Sequence, residues 1–351
     1  MSRAAWRLAL SLLVSLALPA AEAAAAPPSD PPLADFARTP APVGHEGLFL
    51  DEVSAMLPAG VAIERDVTGS LIVRCGAPVP DHPVRLLIAV GVDEPGYVVS
   101  QVRDDGYLRL RTVGAPNPPG DFHLLREGRP ARIWTRTGVR PGVLLVDSVH
   151  LRSARPEALG EEHLYLDVGA DSRADVAALG LELLDPVVQR EVVGLAGGPV
   201  SAPALGRRAA ALVMLRALEL PEVAGSPGLA FAFVAQSTVG TGPLGRGGEA
   251  VIRKVAPAEL LVLRGAGRLL TPIRRTANLA EAQGTHWRPL ELRVEHAGTP
   301  VEQVDAEDVE ALLRALLKEF VYGEARAEDE GASAAIEPPA PEAPRAPEGR
   351  P

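Results

Sequence analysis

The sequence predicts an α/β fold in which helices flank a mixed β-sheet and a small β-barrel is inserted into the chain. Leu86–Val90 is a continuous apolar run, the pattern of a strand buried on both faces of a helix-covered sheet. From Tyr97 the pattern changes to short alternating runs between Gly, Pro and Asp turns, which is typical of a closed or half-closed β domain. A helical pattern returns at Arg207–Leu218 and precedes a second buried strand, Leu229–Ala235.

Composition limits the class of protein. Hydrophobic residues make up 47% of the 351 residues and aromatic residues only 4%, so we expect a core built mainly from Leu, Val and Ala. The net charge of −10 argues against a nucleic-acid partner, which would attract a basic surface. Cys75 is the single cysteine and cannot form a disulfide within the chain, so we expect it to act as a small residue near a strand end.

The N-terminus has the pattern of an export signal, predicted over residues 1–23. Two arginines in the first seven residues precede the apolar stretch Leu8–Leu18, and Ala21–Ala23 forms an Ala-x-Ala cleavage site. Pro19 interrupts the apolar stretch before it reaches the roughly 20 residues of a membrane span. We therefore expect an exported protein, periplasmic or extracellular, without a membrane span in the mature chain.

The rest of the chain divides into segments that differ in composition and hydrophobic pattern. We predict a linker at 24–32, an α/β domain formed by 33–96 and 199–322, an inserted β domain at 97–198 and a disordered tail at 323–351, rich in Ala, Glu and Pro. The predicted helices are Leu33–Arg38, Gly47–Leu57, Arg207–Leu218, Pro272–Ala282 and Ala306–Phe320. The predicted strands are Val61–Asp66, Ser70–Arg74, Val84–Val90, Tyr97–Val102, Tyr107–Val113, Ala131–Thr135, Gly142–Asp147, Leu164–Val168, Leu229–Ala235, Leu260–Leu263 and Leu290–Val294.

Asp93 and Glu94 are the first candidates for a functional site. They directly follow the central strand, and ligands of open α/β sheets bind at the carboxyl ends of strands. The simpler interpretation is a turn, because Asp, Pro and Gly are common turn formers. Ser237 as a nucleophile is disfavoured because the Gly-x-Ser-x-Gly elbow is absent. The glycine-rich run Gly240–Gly248 lacks the Gly-Lys-Ser/Thr ending of a phosphate loop, so we expect a mobile loop there.

The most specific tract is Leu164–Val188, which begins Leu-Tyr-Leu-Asp-Val-Gly-Ala-Asp-Ser-Arg and ends Leu-Asp-Pro-Val-Val. It resembles the insert-domain signature of the tetrahedral di-zinc aminopeptidases, which include glutamyl and deblocking aminopeptidases and members labelled endoglucanases. Asp66–Val73, the central strand, Tyr107–Gly114 and Pro300–Glu310 align with the same family in the same order. The resemblance spans residues 33–320 and implies a zinc-aminopeptidase-like sheet with an inserted β-barrel.

The resemblance also implies a site chemistry that this sequence has lost. The family holds two zinc or cobalt ions with histidines and carboxylates, and a glutamate base activates water. The aligned positions here, in chain order, carry Gly91 for the first metal histidine, Gly206 for the bridging aspartate, Ser237 and Thr238 for base and ligand, Arg264 for a later aspartate and Gly298 for the late histidine. Asp93, which orients the first histidine in the family, remains with its neighbour Glu94.

A zinc site needs three or four donors at about 2 Å, and glycine offers no side-chain donor. Arg207 and Arg264 would in addition repel a cation. We therefore expect no metal, no other cofactor and no catalytic residue. Asp93 then needs a new partner, since a buried unpaired carboxylate is costly, and we predict that Arg207, Arg208 or Arg264 supplies it.

The resulting hypothesis is an exported, catalytically degenerate relative of these aminopeptidases that serves in binding or assembly. The family's insert domain contacts neighbouring subunits, so the resemblance implies a homo-oligomer formed through the inserted β domain. A peptide or protein is the other expected partner, its carboxylate facing Arg207 or Arg264. The alternative is an active metal-dependent aminopeptidase whose replacement donors converge from Asp93, Glu94, His286, Glu295 and His296.

Overall fold

The computed structural model describes residues 33–76, 83–114, 123–146, 160–189, 191–195, 199–266, 280–282 and 285–333. The predicted signal peptide 1–23 and linker 24–32 lie outside these residues. The helices are α1 Leu33–Phe36, α2 Gly47–Met56, α3 Arg173–Ala178, α4 Leu205–Leu218, α5 Pro221–Ala224, α6 Gly245–Val255 and α7 Ala306–Ser333. The strands are β1 Ala62–Arg65, β2 Leu71–Arg74, β3 Leu86–Gly91, β4 Gly96–Val102, β5 Leu108–Val113, β6 Pro130–Thr135, β7 Gly138–Val146, β8 Leu164–Asp167, β9 Pro186–Val188, β10 Val193–Gly194, β11 Val200–Ala202, β12 Leu229–Val234, β13 Glu259–Ala266, β14 Ala280–Ala282, β15 Thr285–Arg293 and β16 Glu302–Val304.

The main sheet has seven strands in the order β1-β2-β12-β3-β13-β15-β14. The central strand β3 pairs in parallel with β12 on one side and with β13 on the other. Strand β2 joins β12 in antiparallel register, so the sheet is mixed. Every residue of β12 is buried, as expected for an apolar strand covered on both faces. The prediction of a buried central strand in a mixed α/β sheet is confirmed.

Alternate residues of the central strands belong to two separate hydrophobic cores, one on each face of the sheet. Ile88, Val90, Phe231 and Phe233 pack on the face that carries α2, α4 and α7. The intervening residues pack against α6 on the opposite face. Glycine lets α6 approach the sheet closely, since a Cβ on Gly247 would lie 1.8 Å from the Ala235 carbonyl oxygen.

The strands between β3 and β10 form a closed barrel in the order β4-β5-β8-β7-β6-β9. All of its strand pairs are antiparallel. Its interior is a third core, separate from the two on the sheet, that includes Tyr97, Val99, Leu108, Ile133, Leu144, Leu166 and Val187. The predicted inserted β-barrel is confirmed. Contacts join the sheet and the barrel into one compact unit, so the predicted domain limits stay predictions.

Two local predictions are wrong. Residues 280–282 of the predicted helix Pro272–Ala282 form strand β14, which is stabilised by antiparallel pairing with β15; the rest of that helix lies outside the described residues. Residues 245–248 of the predicted loop form the first turn of α6. Helix α7 continues to Ser333, into the segment predicted as a tail, and the predicted disorder of 323–351 stays a prediction. Within the described parts of the chain, no helix is both long and apolar enough to cross a membrane.

Candidate functional site

A cavity of about 360 Å³ opens at the carboxyl end of the central parallel strands. Six residues of the predicted site line it, namely Gly91, Glu94, Arg207, Ser237, Arg264 and Gly298. The other three do not line the cavity but are hydrogen-bonded next to it: Gly206 to the wall residue Glu302, Asp93 to the wall residue Ser237, and Thr238 to Asp93. The structure therefore brings the predicted positions together, as expected for the end of a parallel sheet.

Asp93 is the buried centre of the site. Its side chain is fully buried. One carboxylate oxygen accepts the Ser237 backbone N–H at 2.9 Å and the Ser237 hydroxyl, and the other accepts the Thr238 backbone N–H at 2.9 Å and the Thr238 hydroxyl. Arg207 Nη1 lies 3.5 Å from Asp93 Oδ1 and donates to Ser237 Oγ at 2.7 Å. The predicted arginine partner of Asp93 is thus present, and it is Arg207.

Arg208 pairs with the neighbouring carboxylate instead. It is fully buried, donates to the Val92 carbonyl at 2.6 Å and lies 4.0 Å from the centre of the Phe49 ring. Its Nη2 is 3.9 Å from Glu94 Oε2. The other Glu94 oxygen accepts the Ala41 N–H at 3.0 Å. The carboxylates of Asp93 and Glu94 are therefore both engaged by donors of the protein itself.

Arg264 does not pair with Asp93; of the three arginines named as alternatives, Arg207 has that role. Strand register places Glu291 of β15 directly opposite it, and Arg264 donates to Glu291 Oε1 from Nε at 3.0 Å and from Nη2 at 2.6 Å. Its side chain stays 51% exposed at the cavity. The guanidinium thus contributes charge to the wall and not to the buried centre.

Gly91, which the resemblance aligns with the first metal histidine, could take a side chain only if Ser237 and Arg207 moved. A Cβ there would lie 2.0 Å from Ser237 Oγ and 2.7 Å from Arg207 Nη1. Both distances are far below van der Waals contact. The serine and the arginine therefore fill the space in front of the central strand.

Gly206 and Gly298 differ in what prevents a metal ligand. A Cβ on Gly206 would lie 2.7 Å from Val294 Cγ2 and 3.2 Å from Gly265 Cα, so an aspartate there would displace the packing between α4 and β13. Gly298 has open space around it but a φ of +78°, a backbone conformation that a histidine would adopt only with strain.

Glu302 is a residue of the site that the sequence prediction missed, although it lies in the aligned tract Pro300–Glu310. It lines the cavity, and its two carboxylate oxygens accept the Gly206 N–H at 3.0 Å and the Gly298 N–H at 2.8 Å. Burial raises its pKa, while these N–H groups and Arg207 act in the opposite direction. Helix α4 begins after Ala204, which has no capping side chain, so Glu302 supplies the cap from a distant strand. The lack of a capping side chain at Ala204 was the signal in the sequence that could have indicated a distant capping residue.

Three of the five non-glycine residues with positive φ in the described parts of the chain lie at the cavity. Ala204, Gln236 and His296 are non-glycine residues with positive φ of 52°, 51° and 55°. Each lies at a segment that forms the wall: the start of α4, the turn before Ser237 and the turn before Ala297. Such conformations persist where surrounding contacts enforce them, and they cluster at functional sites.

The described residues do not fit a pair of metal ions. No group of three or more His, Cys, Asp or Glu side chains that could hold a metal ion occurs in the described parts of the chain. Asp93 and Glu94 are engaged by internal donors, and His286 and His296 are exposed. The convergence of donors that an active metal-dependent enzyme would need is not seen among these residues.

The fold and the position of the cavity define the class of this protein as aminopeptidase-like. Its structure is similar to that of aminopeptidase APDkam598 from Desulfurococcus kamchatkensis, with a TM-score of 0.68 at 19% identity, covering 82% of this chain and 92% of that one. It is also similar to the TET1 peptidase of Pyrococcus horikoshii, with a TM-score of 0.67 at 21% identity, covering 80% and 96%.

Residues 69–265, more than half of the chain, match the sequence profile of the M42 glutamyl aminopeptidases, and the chain belongs to this family. A curated relative is the glutamyl aminopeptidase of Lactococcus lactis subsp. cremoris, 27% identical over 183 residues. That match covers 50% of each chain, and the chain spans half or less of the length of the curated relatives it matches. The predicted family and fold are confirmed.

Substituting Asp93→Ala tests the buried centre. The change removes the acceptor of four donors and leaves Arg207 without its counter-charge, so we expect a loss of about 3–5 kcal/mol in the free energy of unfolding, measured by urea denaturation. The matched control is Asp104→Ala, whose ion pair with Arg173 is exposed and whose removal should leave the midpoint unchanged. Equal midpoints for both variants would refute the role of Asp93.

Substituting Glu302→Gln tests the helix cap and its pH dependence. Glutamine resembles the protonated carboxyl, with one carbonyl acceptor, and it does not titrate, so the variant is a reference for the pH-dependent part of the stability. The raised pKa means that the folded state holds the proton more tightly than the unfolded chain. The contribution of Glu302 to the free energy of unfolding is therefore fully present below its ordinary pKa of 4.5. It is lost as pH rises through the raised pKa of the folded state.

The difference in melting temperature between wild type and Glu302→Gln should accordingly be largest in acid and become smaller as pH rises. Thermal unfolding followed by circular dichroism over a pH series measures it. A difference that is constant across the series, or that grows with pH, would contradict the assignment of the raised pKa to Glu302.

Proposed function

We propose that this protein is a non-catalytic member of the aminopeptidase family that serves as a binding protein. The observation that carries the proposal is the contact of Arg207 and Ser237 in front of Gly91, where their side chains occupy the space that a side chain at residue 91 would need. The arginine supplies next to Asp93 the positive charge that a cation would otherwise bring. A metal cation bound at this point would be repelled by the nearby guanidinium charge of Arg207.

Water activation also lacks a base in this arrangement. Metal-assisted hydrolysis needs both a Lewis acid and a group that takes a proton from water. Ser237 and Thr238, at the aligned positions of base and ligand, donate their hydroxyl protons to Asp93. Asp93 itself is fully buried and is not a wall residue of the cavity. These contacts favour binding without hydrolysis.

Export is the second part of the proposal. It is supported by the N-terminal sequence, in which a charged start, an apolar stretch and an Ala-x-Ala site follow one another within 23 residues. We propose a protein that is released from the membrane after cleavage and acts in the periplasm or outside the cell.

Metal analysis of the exported protein tests the proposal. Protein purified without chelator and then dialysed against zinc, cobalt or manganese should retain well under one equivalent of metal and should not hydrolyse peptides. An aminopeptidase with a full ligand set, treated in parallel, is the positive control. Stoichiometric metal together with chelator-sensitive hydrolysis would reject the non-catalytic function.

N-terminal sequencing of the same preparation tests export. The sequence should begin at residue 24, and an intact N-terminus would reject cleavage.

We also propose that the chain forms a homo-oligomer through its barrel. The structure described for the Pyrococcus horikoshii relative is of a peptidase that can assemble into a tetrahedron or a large octahedral shell. On the present chain, large apolar side chains are exposed on the barrel and its connections, at Val139, Val143, Leu183 and Leu184. Exposed apolar side chains of this size are typical of interaction surfaces when they lie together.

Light scattering coupled to gel filtration tests the assembly. Wild type should have a mass that is a multiple of the single chain, and the double change Val139→Glu with Leu183→Glu should reduce it. The control is Val67→Glu, because Val67 is 98% exposed but lies outside the barrel. A wild type that elutes as a single chain, or a barrel variant that keeps the wild-type mass, would refute assembly through this surface.

A further inference from the structure

We propose that the cavity binds the terminal carboxylate of a peptide, with Arg264 and Arg207 as its ligands. The inference rests on the proposed function, because it takes the cavity to be free of metal. It names the end of the peptide that is recognised, and that end is opposite to the amino terminus on which an aminopeptidase acts.

The negative charges near the cavity are held by the protein itself. Asp93 is fully buried beneath Ser237 and Thr238, and Glu94 is 1% exposed with its carboxylate between Ala41 and Arg208. Glu302 directs each of its oxygens to a backbone N–H. None of these three carboxylates therefore presents an unengaged charge to a ligand.

The positive charges, by contrast, keep donors for a ligand. Arg207 is 32% exposed, and the described contacts engage only its Nη1. Arg264 is 51% exposed, and Glu291 accepts from its Nε and Nη2 with a single oxygen. Among the described residues, Nη1 of Arg264 and both Nε and Nη2 of Arg207 have no acceptor. Both guanidinium groups line the same cavity.

A guanidinium group matches a carboxylate because it offers two parallel N–H donors in one plane. Arg126 adds a third guanidinium to the wall from the side of the barrel. Apolar residues, including Leu244, Leu263 and Val294, line the rest of the wall and suit the body of a terminal residue better than a bare inorganic anion. The volume of about 360 Å³ is at the lower end for ligand pockets, which limits the bound part to the last one or two residues.

Calorimetric titration with acetyl-trialanine tests the inference, because this probe has a free carboxylate and no free amine. Wild type should bind it and should not bind the matching amide, acetyl-trialanine-NH₂. Arg264→Gln should weaken binding by about tenfold or more, the effect of losing a charge-assisted hydrogen bond. The matched control is Arg293→Gln, since Arg293 forms a similar exposed pair with Glu295 but does not line the cavity. Its affinity should equal that of wild type.

Several results would overturn the inference. Equal affinity for the acid and the amide would do so, as would unchanged binding by Arg264→Gln or preference for a trialanine amide with a free amine. Acetate or alanine binding as tightly as the tripeptide would overturn the assignment to a peptide. A metal-loaded preparation would refute the proposed function, whereas a metal-free protein that does not bind acetyl-trialanine would refute this inference alone.

Discussion

The site depends on one buried carboxylate and the donors that surround it. Asp93 connects the end of β3 to the turn after β12 through Ser237 and Thr238, and to the first turn of α4 through Arg207. A carboxylate at this depth is stable only with a full set of donors and a compensating charge. Because one side chain joins three elements of the main domain, the geometry of the cavity wall follows from how that charge is satisfied.

Much of this arrangement could be predicted from local sequence. The central strand was recognisable because burial on both faces leaves an uninterrupted apolar run, and the barrel because short strands alternate with turns. The pairing of Asp93 with an arginine followed from charge alone. The particular partner did not, since Arg264 is directed to Glu291 by the register of β13 and β15. The role of Glu302 likewise depends on contacts between segments 96 residues apart.

The chain also keeps the family architecture around a cavity with its own set of side chains. The sheet, the barrel and the strained turns at Ala204, Gln236 and His296 surround a cavity in the expected place. The wall of that cavity combines glycine, hydroxyl and guanidinium groups with apolar side chains and with the engaged carboxylates of Glu94 and Glu302. Fold similarity therefore gives the position of the site, while the identity of its side chains decides what it can bind.

The close contacts at Gly91 couple the side chains of three positions. A histidine introduced there alone would collide with Ser237 and Arg207, while removing Arg207 alone would leave Asp93 without its compensating charge. Neither substitution can therefore be made alone without a cost in stability. A larger residue at 91 is consequently accommodated best together with changes at residues 207 and 237, so we expect these three positions to vary as a set.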